Sequence, residues 1–292
     1  MRCLVLSGTD PYRNLATEEW AVRTADLADG DLLILYRNTP CVVVGRNQSI
    51  FTEVDLRFCR EEGIDVCRRV SGGGAVYHDL GNWNITWITA RDLKRTGRYD
   101  WFFAPLVRAL ADRGIEADLN HRNSLLVDGR KVSGTAQFTQ RERLLSHATL
   151  LVDTDLDPLR RSLQPRGYVA ETTGLASVPH SVRNLALDED DMAGWLAAAY
   201  GAGDEASISA DDRARIEALA DRYRSWGWVY GRSPKTWITC GHRRMLVEKG
   251  RITQAWNHER PVREGQGARA VCAEGVLLQW LDEDQSSSVQ AV

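Results

Sequence analysis

Three consecutive glycines, Gly72-Gly73-Gly74, separate two strand-like runs, and no other stretch restricts the architecture of this chain as tightly. A β-like run ends at Arg69, Ala75-Val76-Tyr77 resumes strand character, and Asn84-Ile85-Thr86-Trp87-Ile88-Thr89 alternates like a further strand. Glycine frees the backbone to turn tightly, so such a loop can bring bare N–H groups against a ligand. Arg68 and Arg69, just before it, are of the type that pairs with phosphate or carboxylate. The spacing matches neither G-x-x-x-x-G-K-[ST] nor a G-x-G-x-x-G turn opening a helix, which disfavours P-loop and dinucleotide-binding folds. Taken alone, the stretch is either an anion loop or a hairpin turn with incidental charge.

The 292 residues suffice for one large or two modest domains with a real core. A formal net charge of −3 and a pI near 6.1 argue against a sequence-independent nucleic-acid binder. No apolar run approaches the ~20 residues that span a bilayer, so a membrane is not an expected partner either. Met1-Arg2-Cys3-Leu4-Val5-Leu6 meets polar residues at once and is not a signal peptide, which points to the cytoplasm. The six cysteines, at 3, 41, 59, 67, 240 and 272, form no C-x-x-C pair, and no His-rich cluster accompanies them. Neither a zinc site nor a compact disulfide framework is expected, and Cys41 in its apolar run reads as a reduced, buried thiol.

Taken in order, residues 2–7 form a short strand, and an amphipathic helix follows from Asp10-Pro11 with Leu15, Glu18, Glu19 and Val22 along it. Two apolar strands, 32–36 and 41–45, flank an Asn38-Thr39-Pro40 turn. Helices are expected at about 53–62, 99–113, 155–163, 189–200 and 209–224, and a strand over 146–153. Asp128-Gly129 between alternating runs marks a hairpin and sets Lys131 at the start of the returning strand. Further strands are expected over 244–248, 250–256 and 268–280, and the polar tail at 282–288 is expected to be disordered. No internal repeat is visible.

The composite Arg-Arg-x-Ser-Gly-Gly-Gly-Ala-Val-Tyr-His-Asp-x-Gly-Asn-x-Asn at 68–84 resembles the signature of the lipoate-protein ligase A family, relatives of biotin ligases and octanoyltransferases. Gly129-Arg130-Lys131-Val132-Ser133-Gly134-Thr135-Ala136 is similar to that family's second motif. Ser146-His147-Ala148-Thr149-Leu150-Leu151 resembles its His-Gly-Thr-Leu-Leu phrase, with Ala148 in place of glycine. Asn14-Leu15-Ala16-Thr17-Glu18-Glu19, Gly45-Arg46-Asn47-Gln48 and the Trp226–Lys235 junction resemble family patterns too, so the likeness covers about 1–257.

The resemblance implies an α+β fold: a central mixed β-sheet flanked by helices, with a small, apparently truncated C-terminal α+β domain. Residues 1–203 would form the catalytic domain, and 204–292 a linker helix and accessory domain. It further implies that lipoate is activated with ATP and Mg²⁺ to lipoyl-AMP, then transferred to a lysine of a carrier domain. Carriers of this kind occur in 2-oxoacid dehydrogenases and in the glycine-cleavage H protein. Lys131 would be catalytic, since carboxylate attack on an α-phosphate builds negative charge that a cation offsets. The nucleotide would meet Arg69, Gly74, Ala75, Val76, Tyr77, Asn82, Lys131 and Ala136. The acyl substrate would meet Arg69, Ser71, Gly72, Gly73, His78, Lys131 and His147, although His147 equally suits a structural role. No protein metal ligand is expected, and a monomer is the default.

Two features depart from the family pattern. Asn123-Ser124-Leu125 stands where the family commonly has Asn-Asp-Leu, and the lost carboxylate bears on Mg²⁺ and ATP. The short C-terminal part bears on how adenylation and transfer are coupled. The alternatives are a lipoyltransferase fed with preformed lipoyl-AMP and a member repurposed for another carboxylic acid or for acyl binding alone. An octanoyltransferase using a cysteine thioester is disfavoured, because no cysteine lies between Ser71 and Gln137.

Overall fold

The computed structural model of the chain describes residues 1–187, 190–257, 260–261 and 275–279. Its central sheet has six strands in the order Thr135–Gln140, Arg143–Leu151, Asn82–Ala90, Leu32–Tyr36, Arg2–Val5 and Asp204–Glu205. The first four pair antiparallel and the last two add in parallel, so the sheet is mixed and the fold α+β. Every residue of Leu32–Tyr36 is buried, as an apolar strand covered on both faces must be. The alternation of side chains divides its apolar residues between two cores. Leu33 and Leu35 join Ile85, Trp87, Phe102 and Leu106 on one face, while Ile34 and Tyr36 join Val22, Ile88 and Leu145 on the other.

The second face is covered by the helix Pro11–Thr24, which begins where Asp10 accepts hydrogen bonds from the Tyr12 and Arg13 amides. That helix lies against Ala210–Arg224, and Arg222 and the Tyr223 hydroxyl both donate to the buried carboxylate of Glu19. Among the described residues, three smaller sheets accompany the central one. Asp65–Arg68, Cys41–Val44 and Val76–His78 form one, with the triglycine between its last two strands in sequence. Asp118–Leu119, Leu125–Val127 and Arg130–Ser133 form another, while Val169–Thr172 leads an antiparallel five-stranded sheet otherwise drawn from residues 236–261.

Some expectations change. The helix at 53–62 is divided into Ile50–Glu53 and Leu56–Glu61, because Val54 is extended and Asp55 caps the second segment by accepting from the Phe58 amide. Residues 275–279, expected as strand, are helical and bury Leu277 and Leu278; a short apolar run has no period that separates the two conformations. The rest of 268–280 and the tail at 282–288 lie outside the described residues. The short strands at 118–119, 169–172 and 204–205 were not expected, since each is defined by the neighbour it pairs with and not by its own pattern.

Candidate functional site

The triglycine loop is braced from within. Arg69 is buried and donates through Nε to Ser71 Oγ at 3.0 Å and through Nη1 to the Val43 carbonyl at 3.0 Å. Its Nη2 reaches the carbonyls of Gly72 at 2.6 Å and Gly74 at 2.8 Å. Burial lowers its pKa to about 10, partly offset by Glu18, so the guanidinium is charged at neutral pH. Gly73 has φ +90°, which favours glycine, and a Cβ on Gly45 would collide with its carbonyl. Ser177 Oγ accepts from the Ala75 amide at 2.8 Å, which fixes the loop to the segment at 174–182.

Lys131 comes from the expected hairpin, whose Asp128 and Gly129 both have positive φ, as a type I′ turn requires. Its backbone also bonds outward: its amide donates to the Ser181 carbonyl at 2.9 Å, and its carbonyl accepts from the Arg183 amide at 3.1 Å. The strand is thereby held on both edges. Two cavities meet at its side chain. One, of about 300 Å³, is lined by Arg69, Gly73, Gly74, Ala75, Val76, His78, Ala136 and His147. The other, of about 820 Å³, is lined by Ala75, Val76, Tyr77, Ser133, Thr149 and Pro179 among others. Lys131, Gly134, Ala176 and His180 line both. The ammonium of Lys131 has no hydrogen-bond or ion-pair partner among the described residues; burial, and then the charge of Arg69, hold its pKa below that of a free lysine.

The wall of the smaller cavity carries a polar cluster. Glu18, buried, accepts from the Tyr36 hydroxyl at 2.9 Å, from the Thr86 hydroxyl, and from His147 Nδ1 at 3.0 Å. Burial opposes its ionisation, but His147, Thr86 and Tyr36 outweigh that and hold the carboxyl below its ordinary range. His147 Nε2 meets Ser71 Oγ at 2.7 Å, so this cluster connects to the glycine loop.

Nine of the residues singled out from the sequence therefore line one cavity: Arg69, Gly73, Gly74, Ala75, Val76, His78, Lys131, Ala136 and His147. Tyr77 faces the larger one. Ser71 and Gly72 stand behind the wall, bonded to Arg69. Asn82 lines neither cavity; it is buried, and its amide donates to Asn84, which does line the smaller. Glu18, Tyr36, Arg122, Ser177 and His180 also line the smaller cavity and were not singled out. Glu18 had a signal, since it shares a helix face with Leu15 and Val22 and a carboxylate there is buried. His180 had none. Among the described residues no group of three His, Cys, Asp or Glu is placed to hold a metal ion, and no cysteine lines either cavity. No helix among them is long and apolar enough to cross a membrane.

Residues 10–191 match the model of the lipoyl protein ligase A/B catalytic domain. Lipoate-protein ligase LplJ of Bacillus subtilis is 37% identical over 239 residues, which are 77% of this chain and 72% of that protein. A Thermoplasma acidophilum protein with bound lipoic acid superposes with a TM-score of 0.68 at 26% identity, covering 79% of this chain and 99% of the other. A lipoate-protein ligase A with bound ATP gives the same TM-score and identity, over 79% of this chain and 98% of its own.

Proposed function

The chain belongs to the lipoyl protein ligase A/B family, and on that premise we propose that this lipoate-protein ligase joins its two substrates at Lys131, where the two cavities meet. A carboxylate oxygen of lipoate attacks the α-phosphorus of ATP, the bond to pyrophosphate breaks, and lipoyl-AMP remains. The ε-amine of a carrier-domain lysine then attacks the adenylate carbonyl and expels AMP, leaving an amide.

The smaller cavity takes the acyl chain and the larger takes the nucleotide. Lys131 lies at their junction with its charge unpaired among the described residues, and that single observation carries the assignment. A cation there offsets the charge that grows on carboxylate and phosphate oxygens as they join. Arg69 acts behind the loop: by holding the carbonyls of Gly72 and Gly74 it turns the loop's amides outward. The Ala75 amide is already bonded to Ser177 Oγ, so a phosphate at this point exchanges that contact. Among the described residues no cluster of carboxylates is placed to hold Mg²⁺, which would enter on the phosphates of ATP. The acceptors would be lipoyl carrier domains.

Lipoate-dependent release of pyrophosphate from ATP and Mg²⁺, without a carrier, tests this function. Release establishes the adenylating step. A second reading, transfer from preformed lipoyl-AMP only, is favoured by Ser124, which lines the smaller cavity where the family commonly has aspartate. Transfer from supplied lipoyl-AMP without pyrophosphate release would select it.

A further inference from the structure

Gly45-Arg46-Asn47-Gln48 resembles a family pattern, yet the mechanism above gives it no role, and none of its residues lines either cavity. It bridges two segments that do. The Arg46 amide donates to the Ser71 carbonyl beside the glycine loop at 2.8 Å, and the Asn47 carbonyl accepts from the Leu175 amide at 3.4 Å.

Its last residue is held in one orientation. Gln48 is fully buried, and the Gly45 amide donates at 2.9 Å to one end of its side chain, so that end is the oxygen and the other is NH₂. The NH₂ donates at 3.0 Å to Ser177 Oγ, which also accepts from the Ala75 amide at 2.8 Å. Two donors occupy the lone pairs of this oxygen, so the hydroxyl hydrogen must point elsewhere. Glu53 supplies the acceptor. It is buried, ends the helix Ile50–Glu53, and accepts from the Ser177 amide through both carboxylate oxygens, at 3.3 and 3.2 Å. Burial raises the Glu53 pKa, while the Ser177 hydroxyl and then the Ser177 amide oppose that rise. Both donors of Ser177 therefore end on Glu53, and its oxygen is held by Gln48 and Ala75.

Ala75, Ala176, Ser177 and Val178 line both cavities, so the position of Ser177 sets a wall that the acyl chain and the nucleotide share. When a phosphate takes the Ala75 amide, Ser177 loses one of its partners and keeps Gln48 and Glu53. Resting on the proposed function, we infer that Gln48 and Glu53 are positioning residues that hold Ser177 and the shared wall in place after ATP has taken the Ala75 amide, and so keep water from the lipoyl-adenylate. Water that reaches the adenylate attacks its carbonyl carbon, the bond to AMP breaks, and lipoate is lost without transfer.

The ratio of lipoyl amide formed to pyrophosphate released tests this, measured on the whole chain with an excess of a 2-oxoacid dehydrogenase lipoyl domain. Wild type is expected to form close to one amide per pyrophosphate. Gln48→Met and Glu53→Leu should each lower the ratio about twofold or more, because the intermediate is then open to hydrolysis. Glu53→Gln keeps a carbonyl oxygen for the Ser177 amide and should stay nearer wild type than Glu53→Leu. In Ser177→Ala the Gln48 amide has no hydroxyl to hold, so adding Gln48→Met should leave the ratio where Ser177→Ala alone puts it. A wild-type ratio in both Gln48→Met and Glu53→Leu, or a Gln48→Met effect that persists in full beside Ser177→Ala, overturns the inference. Should either larger change fail to fold, Ser177→Ala decides alone: it removes the hydroxyl and should lower the ratio, and a wild-type ratio there overturns the inference. If the wild type releases no pyrophosphate, the proposed function fails instead. Hydrogen exchange at the Ser177 amide, slow in wild type and faster in Glu53→Leu, then decides whether Glu53 holds the wall, and equal exchange in the two overturns it.

Discussion

The Arg68 guanidinium donates to the carbonyl of Val229 at 2.9 Å, across 161 positions of sequence. The same group reaches the carbonyls of Gly45 at 2.9 Å and Gln48 at 2.7 Å, and Ser233 Oγ at 3.1 Å. Trp228 Nε1 returns a bond to the Arg68 carbonyl at 2.8 Å. The first arginine of the signature is therefore a strut between the loop at 45–48 and the turn after the long C-terminal helix. It is fully buried and touches no cavity.

Removing that strut leaves several carbonyls buried without donors. Arg68→Met, close in volume, is expected to lower stability by about 3 kcal/mol or more, since each lost charged hydrogen bond counts for about 1.5–3 kcal/mol. The midpoint of thermal unfolding should fall by roughly 10 °C. A melt within 2 °C of wild type, on the order of the shift for under 1 kcal/mol, would reject the strut.

Lys131 faces the junction with its charge unpaired among the described residues, so Lys131→Ala should leave the melt unchanged and reduce pyrophosphate release by about 10²–10³-fold, the range seen for lost transition-state donors. The rate also needs the ammonium form. Because burial and Arg69 hold its pKa below that of a free lysine, kcat/KM should begin to fall at a pH below the ordinary lysine value of 10.5. A full rate in the alanine variant would remove Lys131 from the reaction.

His78 makes the fold sensitive to mild acid. Its folded pKa of about 3 lies below the ordinary 6.5, so between these values the unfolded chain binds a proton that the folded chain does not. Stability from this group is therefore complete above pH 6.5 and is lost as the pH falls, by about 1.4 kcal/mol per unit. The window from pH 6.5 to 5 precedes carboxylate titration. Urea unfolding across it should show a smaller slope in His78→Gln, and equal slopes in the two proteins would contradict the assignment.

The residues that line the smaller cavity were more legible in the sequence than their supports. Arg69, Gly73, Gly74, Lys131 and His147 were found because a motif keeps them in fixed spacing, and the hairpin at Asp128-Gly129 announced itself through turn chemistry. Arg68 looked identical to Arg69 one position away, yet Arg68 ends its strand and Arg69 begins the loop, and only Arg69 meets the cavity. Tyr36 and Asn38 border an ordinary apolar strand, and their role depends on Glu18 and His78 arriving from elsewhere in the chain. The edge strands Val169–Thr172 and Asp204–Glu205 exist only through pairing with segments far away in sequence.

The Gly45 backbone lies against Gly73, and a Cβ there would overlap the Gly73 carbonyl. Backbone cannot move aside as a flexible side chain can, so Gly45→Ala must displace the glycine loop that Arg69 braces. The expected result is a destabilisation of about 1–3 kcal/mol, typical of overpacking, together with a KM for lipoate that rises more than the KM for ATP, since Gly73 lines the acyl cavity. Gly30→Ala is a contrasting control: nothing lies near its Cβ, and it affects stability through backbone conformation alone, with neither KM changed.

Ser124 is expected to raise the chain's demand for magnesium. It is 4% exposed, lines the smaller cavity together with Lys131, and its amide donates to Asn120 Oδ1 at 2.9 Å, so its position is fixed. A neutral hydroxyl is a poor ligand for a hard cation, and the cations nearby repel one. The wild type should therefore need more Mg²⁺ for pyrophosphate release than a chain with aspartate at this position. Ser124→Asp is expected to lower the half-saturating Mg²⁺ about threefold or more, the equivalent of somewhat under 1 kcal/mol. A carboxylate in the same cavity as Lys131 should also raise the lysine pKa, and the high-pH fall in rate should then move upward in the same variant. The two shifts separate the possibilities. An upward pH shift without a change in Mg²⁺ demand would mean that the new carboxylate reaches Lys131 and not the nucleotide's cation.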